Sequence, residues 1–210
     1  MNKMIIIPIL VGIVIAVSAF LLLSNDASSD PESQLIYDAG FTYYDIEKIQ
    51  NNLEVQNIFV SSPTAITDHT ISQYCTFFEK GLPRSVEYCT TTAVLDYEGT
   101  TLGNINLGGD TQSPVLAIAN LETPSLESNQ DDVFAVFETM IETLVCDCWE
   151  EEKSEDYPTI SAWIEGVQTF YIDSDKRDIK SKIDDLAGHE ILLEITTKDN
   201  SILQTLIILK

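Results

Sequence analysis

The sequence lacks the short motifs that identify common enzyme families. It has no Gly-x-Ser-x-Gly, no His-Glu-x-x-His and no glycine-rich phosphate loop of either common spacing. Histidine is scarce, because His69 and His189 are the only two in the chain. Either could be combined with nearby carboxylates into a serine–histidine–aspartate set, but chance alone supplies such combinations. We therefore predict no catalytic residue.

Basic residues are also scarce. The chain has 11 lysine and arginine residues against 34 acidic ones, which gives a formal net charge of −23. No basic residue lies between Arg84 and Lys153. A field of that sign repels phosphate backbones, which excludes nucleic acid as a partner. It permits attraction of metal cations or of a basic partner, although an acidic exterior that keeps the protein soluble is the simpler interpretation.

Long uncharged stretches are absent except at the N-terminus. Residues 4–23 carry no charge, and a helix of that length rises roughly 30 Å, the thickness of a bilayer's hydrocarbon core. Lys3 precedes this run and acidic residues follow it, so the positive-inside rule predicts a cytoplasmic N-terminus at residues 1–3. We predict an uncleaved signal-anchor that crosses the lipid bilayer of the cell membrane once. The alternative is a cleaved signal with its site at residues 17–19, which would leave a secreted protein.

The chain after this run divides into a linker and one domain. Residues 24–34 (SNDASSDPESQ) are polar and contain serine, aspartate and proline, which predicts a tether. Residues 35–210 are long enough for one domain with a substantial core. Because a signal-anchor exports everything that follows it, we predict that this acidic domain lies outside the cytoplasm.

Hydrophobic periodicity predicts five helices in the domain. Thr42 and Asp45 resemble a capping box at the start of the first. The others are expected over Asp68–Lys80, from Ser128 or Asn129, from Pro158, and over Asp175–Ala187. The second and fifth depend on apolar residues at helical spacing, namely Ile71, Tyr74, Cys75 and Phe78 in one and Ile179, Ile183 and Leu186 in the other.

Five strands are predicted where β-branched and aromatic residues lie between turn signals. They are Ser85–Tyr97, Thr101–Leu107, Pro114–Leu121, Glu190–Thr197 and Ile202–Leu209. Short turns favour an antiparallel meander for the first three and a hairpin for the last two. The fold class is therefore predicted to be α+β. An N-terminal transmembrane helix is followed by one domain with an antiparallel sheet of about five strands and helices packed mainly on one face.

The four cysteines, Cys75, Cys89, Cys146 and Cys148, predict disulfides, since their number is even and the domain is expected to be exported. On a helix, the side chains of Cys146 and Cys148 would diverge by about 200°, which disfavours a bond between them. The preferred pairing is therefore crossed, with Cys75–Cys148 and Cys89–Cys146. The alternative is a local Cys75–Cys89 bond with two free thiols.

The cysteines also permit a metal site. Cys146 and Cys148, together with His69 or His189, could hold copper or zinc. However, Cys-Asp-Cys is not the Cys-x-x-Cys spacing usual for structural zinc, and the two histidines lie far from the cysteines in sequence. A thiol redox enzyme would also typically carry Cys-x-x-Cys. We therefore prefer disulfides and predict no metal or cofactor site.

Two further groups of residues have structural explanations. The run Asp173–Asp178 begins like a calcium loop, but Arg177, Asp178 and Asp184 stand where such a loop requires a ligand, a glycine and a bidentate glutamate. A helix N-terminus rich in capping residues explains the run better. The two tryptophans, Trp149 and Trp163, are expected in the core because their spacing is helical.

These features favour a membrane-tethered, non-enzymatic domain of the cell envelope that interacts with an unidentified protein partner or senses a ligand. The first alternative is extracytoplasmic copper or zinc binding through the cysteines. The second is an unrecognised envelope hydrolase. Titration of thiols under denaturing conditions separates the first two functions, because disulfides leave no reactive thiol.

Overall fold

The computed structural model describes residues 40–67, 69–79, 82–152 and 157–210. The predicted anchor and the predicted tether lie outside these ranges. In the described part of the chain, no helix is both long and apolar enough to cross a membrane. Residues 40–210 form a unit of their own.

The first helix shows how the local sequence starts an element. The backbone N–H of Thr42 donates to Oδ2 of Asp45 at 2.6 Å, and the Thr42 hydroxyl donates to the same atom at 2.9 Å. These bonds satisfy groups that a helix start would otherwise leave unpaired, as the predicted capping box requires. Helix α1 then spans Asp45–Glu54 and buries Ile46, Ile49 and Leu53.

The described residues contain five helices and ten strands. The helices are α1 (Asp45–Glu54), α2 (Ile71–Tyr74), α3 (Gln130–Leu144), α4 (Trp149–Glu152) and α5 (Ile160–Asp173). The strands are β1 (Phe59–Val60), β2 (Thr64–Ala65), β3 (Thr76–Glu79), β4 (Leu82–Ser85), β5 (Tyr88–Leu95), β6 (Thr101–Gly109), β7 (Pro114–Thr123), β8 (Ile179–Leu186), β9 (His189–Lys198) and β10 (Ser201–Leu209).

Eight of these strands form one antiparallel sheet in the order β1-β5-β6-β7-β10-β9-β8, with β2 also paired to β5. The predicted α+β class and the antiparallel sheet are confirmed. The sheet has eight strands rather than about five, because β1 and β2 are two-residue edge strands and β8 was expected to be a helix. As predicted, β5-β6-β7 is a meander and β9-β10 is a hairpin. β10 lies inside the sheet, between β7 and β9.

The two faces of the sheet carry different cores. On one face the long helices α1, α3 and α5 pack over side chains such as Ile191, Leu193 and Ile195 of β9, which are fully buried. Both tryptophans lie in this core, as predicted. The opposite face carries a smaller cluster of Ile71, Cys75, Cys89, Leu116 and Ile118.

The fifth predicted helix, Asp175–Ala187, is wrong, because these residues contain the edge strand β8. Ile179 and Ile183 face the core two residues either side of Ser181, which is the alternation of a strand. A register shift after Ile183 then delays the next core residue to Leu186. The resulting spacing of four and three residues imitates one face of a helix.

The second predicted helix, Asp68–Lys80, is also wrong for most of its length. Only the single turn of α2 forms, and the chain leaves it at Cys75 to enter β3. Thr76 and Phe77 favour an extended backbone, and they pair with Ser85 and Arg84 of β4.

The remaining helices follow their sequence signals with two differences. Thr159 caps α5 by accepting a hydrogen bond from the backbone N–H of Ala162 at 3.0 Å. Phe170, whose helical spacing from Trp163 and Val167 predicts burial, is 65% exposed. The run Asp173–Asp178 is the connection from the end of α5 to β8 and not the predicted helix N-terminus.

Candidate ligand-binding groove

The turn between β6 and β7 forms one wall of a groove. Oδ1 of Asp110 accepts hydrogen bonds from the backbone N–H groups of Gln112 and Ser113, both at 2.7 Å. These two bonds, first that from Ser113 and then that from Gln112, lower the pKa of Asp110 because they favour its charged form. The carboxylate thereby holds Thr111 and Gln112 at the edge of the groove.

Tyr43 joins the start of α1 to this turn. Its hydroxyl donates to the carbonyl oxygen of Asp110 at 2.8 Å. Its ring meets the ring of Tyr88 edge to face, with 5.2 Å between the centroids. Burial, followed by electrostatic repulsion from Asp110 and then Tyr88, raises the pKa of Tyr43 to about 12. The phenol is therefore neutral and fixed in place at physiological pH.

The groove lies between α1, β2, β5 and the β6–β7 turn and has a volume of about 660 Å³. This volume falls within the range of about 300–1,000 Å³ found for ligand sites. Tyr44 lies at the edge of the groove and is 80% exposed. The groove is lined by Thr42, Tyr43, Tyr44, Ile46, Glu47, Pro63, Ala65, Tyr88, Thr90, Thr111 and Gln112.

The lining suits binding by stacking and hydrogen bonding. Ile46, Pro63 and Ala65 supply apolar surface, and the three tyrosines supply aromatic surface. The hydroxyls of Tyr44 and Tyr88 and the amide of Gln112 supply hydrogen-bonding groups. Among the lining residues that the structure describes, Glu47 is the only charged one, and none is a cysteine or a histidine. The groove can therefore attract a cationic ligand, but it presents none of the usual nucleophile and base pairs.

Lys210 connects the segment before α1 to the β6–β7 turn beside the groove. Its Nζ donates to the carbonyl oxygen of Phe41 at 2.6 Å and to the hydroxyl of Ser113 at 3.4 Å, and it lies 4.6 Å from the centroid of the Phe41 ring. Burial lowers the pKa of Lys210, although the charges of Asp45 and Asp110 oppose this shift. The end of β10 thus holds the segment before α1 against the β6–β7 turn.

The cysteines do not form the predicted crossed pairs. Cys75 is bonded to Cys89, with 6.1 Å between their Cα atoms, and Cys146 is bonded to Cys148, with 5.2 Å. The first is the local bond that was the alternative, and it forms because β5 folds back beside α2. The second forms because α3 ends at Leu144, so its two cysteines do not have the helical geometry that would separate them.

The histidines do not join the cysteines in a metal site. His69 is exposed in the turn before α2, whereas His189 begins β9 beside the ring of Phe41, with Nδ1 3.0 Å from the carbonyl oxygen of Ala187. Among the described residues, no group of three or more histidine, cysteine, aspartate or glutamate side chains could hold a metal ion.

The groove residues were missed by sequence reasoning. The doublet Tyr43-Tyr44 at a helix cap was a usable signal, because two adjacent aromatic side chains at that position cannot both enter the core. Tyr88, Thr111 and Gln112 carried no such signal, since only the sheet register brings them beside α1.

Comparison with protein-family models, curated proteins and solved structures finds no match to this chain.

Proposed function

We propose that the chain is a single-pass, membrane-tethered domain on the outside of the cell that binds an extended, basic, proline-containing segment of an envelope protein. The uncharged run at residues 4–23 supports the anchor. The pairing of all four cysteines supports an oxidising compartment, where disulfides persist. The role is one of interaction and not of catalysis.

The convergence of three tyrosines on one open groove carries the proposal. A polyproline II segment makes no internal hydrogen bonds, so its carbonyl groups accept from donors such as the hydroxyls of Tyr44 and Tyr88 and the amide of Gln112. Its proline rings pack on aromatic faces, and Tyr44 presents such a face at the rim. Glu47 and the net charge of −23 favour lysine or arginine beside the prolines.

Titration of the full chain in lipid nanodiscs tests this proposal. The probe is a short peptide with prolines three residues apart and arginines at one end, and a matched peptide carries alanine in place of each proline. We expect the first peptide to bind and the second to bind at least about tenfold more weakly. Tyr44→Ala should weaken binding of the first peptide by about tenfold or more, because it removes a stacking face.

Tyr97→Ala is the matched control variant. Tyr97 is 77% exposed in the turn between β5 and β6, so it resembles Tyr44 in residue type and exposure but does not line the groove. Its substitution should leave peptide affinity unchanged. Equal losses from the two substitutions, or equal binding of both peptides, would overturn the assignment of the groove.

Labelling with a membrane-impermeant maleimide in intact cells tests the proposed location. Asn200 is exposed in the β9–β10 turn, and Asn200→Cys should be labelled without lysis. Asn2→Cys, which keeps the charge of Lys3, should be labelled only after lysis, because the positive-inside rule predicts that the N-terminus is in the cytoplasm. The reverse pattern would contradict the proposed topology but leave the groove assignment standing.

A further inference from the structure

The two disulfides differ in burial and in the length of chain that they close. Cys75 and Cys89 are fully buried in the smaller core cluster, and their bond spans 14 positions in sequence. Cys146 and Cys148 are only partly buried, lie in the connection between α3 and α4, and are two positions apart. The first bond has the position and loop length of a structural crosslink.

The second bond adds little as a crosslink. Loop-closure entropy grows with loop length, so bridging residues two positions apart constrains the unfolded chain least. Backbone hydrogen bonds already hold this connection, since Cys146 N–H donates to Ile141 at 3.3 Å and Cys148 accepts from Glu151 and Glu152 at 3.1 Å each. Opening the Cys146–Cys148 bond should therefore leave the fold in place.

The second bond is also open to reagents. Cys146 lines a hollow of about 370 Å³ at the end of α3, with Trp149 beside it. A thiol that enters this hollow therefore lies beside the partly exposed Cys146, whereas Cys75 and Cys89 have no exposed surface. Accessible disulfides are the ones that exchange with external thiols.

The hollow has a strongly negative lining. It contains five carboxylate side chains, from Glu138, Glu142, Asp147, Glu150 and Glu151. Partial desolvation raises the pKa of Glu142, and repulsion from Asp147 and then Glu138 raises it in the same direction. An incoming thiol that carries extra negative charge is therefore repelled, and one with positive charge is attracted.

We propose that Cys146–Cys148 is a thiol–disulfide exchange site that takes electrons from a dithiol carrying neutral or positive groups. One thiolate of the dithiol attacks Sγ of Cys146, the Sγ–Sγ bond breaks, and Cys148 leaves as a thiolate that is protonated by water. The first step leaves a mixed disulfide between Cys146 and the dithiol. The second thiol of the dithiol, once deprotonated, attacks the dithiol's own sulfur in this mixed disulfide and releases Cys146 as a thiolate, which is protonated by water. The dithiol is oxidised to a disulfide, and the two cysteines are reduced by two electrons.

Limited reduction of the oxidised full chain in nanodiscs, followed by alkylation and peptide mass analysis, gives the first test. With dithiothreitol, we expect alkylation at Cys146 and Cys148 at least about 100-fold faster than at Cys75 and Cys89. The urea midpoint should change little, and oxidised dithiothreitol should restore the bond. Opening of both pairs together, or only after unfolding in urea, would overturn the proposal.

The charge preference gives the second test. The reduction rate with cysteamine is divided by that with glutathione, and the same ratio is measured on a neutral small-molecule disulfide as the reference. We expect the ratio on the protein to exceed the reference by at least about tenfold at low salt and to approach it in 1 M salt. A ratio equal to the reference at low salt would contradict the role of the hollow.

Matched variants separate the hollow from the overall charge. Glu142→Gln with Asp147→Asn should lower the cysteamine preference by several-fold, because these carboxylates line the hollow. Glu54→Gln with Glu98→Gln removes two exposed carboxylates outside the hollow and should leave the preference unchanged. Equal effects of the two changes would assign the preference to net charge alone.

Single-cysteine variants compare how accessible the two sulfurs are from the hollow, which decides which one an incoming thiol can attack. In Cys148→Ser the thiol of Cys146 should form a mixed disulfide with cystamine, and no resolving thiol remains to release it. The Cys148 thiol of Cys146→Ser should react at least about tenfold more slowly, because Cys146 and not Cys148 is among the residues that line the hollow. Equal or reversed rates would overturn the assignment of Cys146 as the attacked sulfur.

Discussion

At the scale of single residues, Tyr43 is the group whose titration reports on the groove. Its pKa is raised from 10.0 to about 12, with burial as the largest cause. The folded protein therefore holds this proton more tightly than the unfolded chain. The corresponding stability is fully present below about pH 10 and is lost as the pH rises towards about 12.

Tyr43→Phe should remove this part of the pH dependence between about pH 10 and pH 12. It should also cost about 1 kcal/mol at neutral pH, because the hydrogen bond to Asp110 is lost. Urea unfolding measured across this pH range checks both effects. Tyr97→Phe is the control, since that side chain is exposed and should leave the curve unchanged. If the stability of wild type and of Tyr43→Phe changed equally with pH between about pH 10 and pH 12, the pH dependence would not come from Tyr43.

Gly108 is a second residue whose role is set by its neighbours. It is paired with Cys89 across β5 and β6, and a Cβ built on it would lie 2.9 Å from Sγ of Cys75 and 3.0 Å from Cγ2 of Val86. Such contacts are closer than packed atoms tolerate. The glycine therefore leaves room for the Cys75–Cys89 bond on the face of the sheet.

Gly108→Ala should destabilise the protein by about 1–3 kcal/mol, measured by urea unfolding. The cost should fall when Cys75→Ala is present, because the sulfur that causes the contact is gone. Gly99→Ala is the control, since Gly99 has a φ of +81° and no atom within 4 Å of the added Cβ. The loss of stability in Gly99→Ala arises from the backbone conformation alone. It should therefore add to the loss caused by Cys75→Ala without an interaction energy between the two substitutions.

At the scale of elements, a side-chain hydrogen bond links β8 to the helical layer. The indole N–H of Trp163 in α5 donates to the hydroxyl of Ser181 in β8 at 3.0 Å. Trp163 is fully buried, so this donor has no access to water. The bond is possible because Ser181, between Ile179 and Ile183 in the strand alternation, faces the core.

Ser181→Ala should therefore cost about 1–3 kcal/mol, because it leaves the buried indole N–H of Trp163 unpaired. Ser181→Thr keeps the hydroxyl in a strand and should recover most of the loss. Chemical unfolding of both variants gives the measurement. A neutral Ser181→Ala, or a threonine variant as unstable as the alanine variant, would show that the bond contributes nothing.

At the scale of the whole molecule, charge is the dominant feature. With 34 acidic residues against 11 basic ones, most carboxylates cannot have a cationic partner. Described ion pairs such as Lys182 with Glu190 and Lys198 with Glu122 are exposed to solvent and contribute little each. Repulsion among the remaining acidic groups therefore opposes the compact state.

Raising sodium chloride from about 0.01 M to about 0.5 M should raise the thermal midpoint of the full chain by at least about 3 °C, because salt screens this repulsion. Sucrose at equal osmolality is the control, and it should not reproduce the salt effect at that concentration. Scanning calorimetry measures both. A midpoint that falls with salt would show that attractive ion pairs outweigh the repulsion.

The sequence by itself determined the elements whose signals are local. Thr42 with Asp45 and Thr159 with Ala162 cap their helices through contacts three residues apart, so α1 and α5 were predictable. The meander of β5, β6 and β7 and the hairpin of β9 and β10 followed from strand propensity and short turns. The charge and the even number of cysteines also needed no structure.

Tertiary structure decided what depends on partners distant in sequence. The spacing of Ile179, Ile183 and Leu186 fits a helix and a bulged strand equally well, and only pairing with β9 selects the strand. The cysteine pairs depend on where α2 and α3 end. The groove unites Tyr43, Tyr88 and Gln112 through the sheet register, because local periodicity places a side chain on a face but does not specify which distant segment it meets.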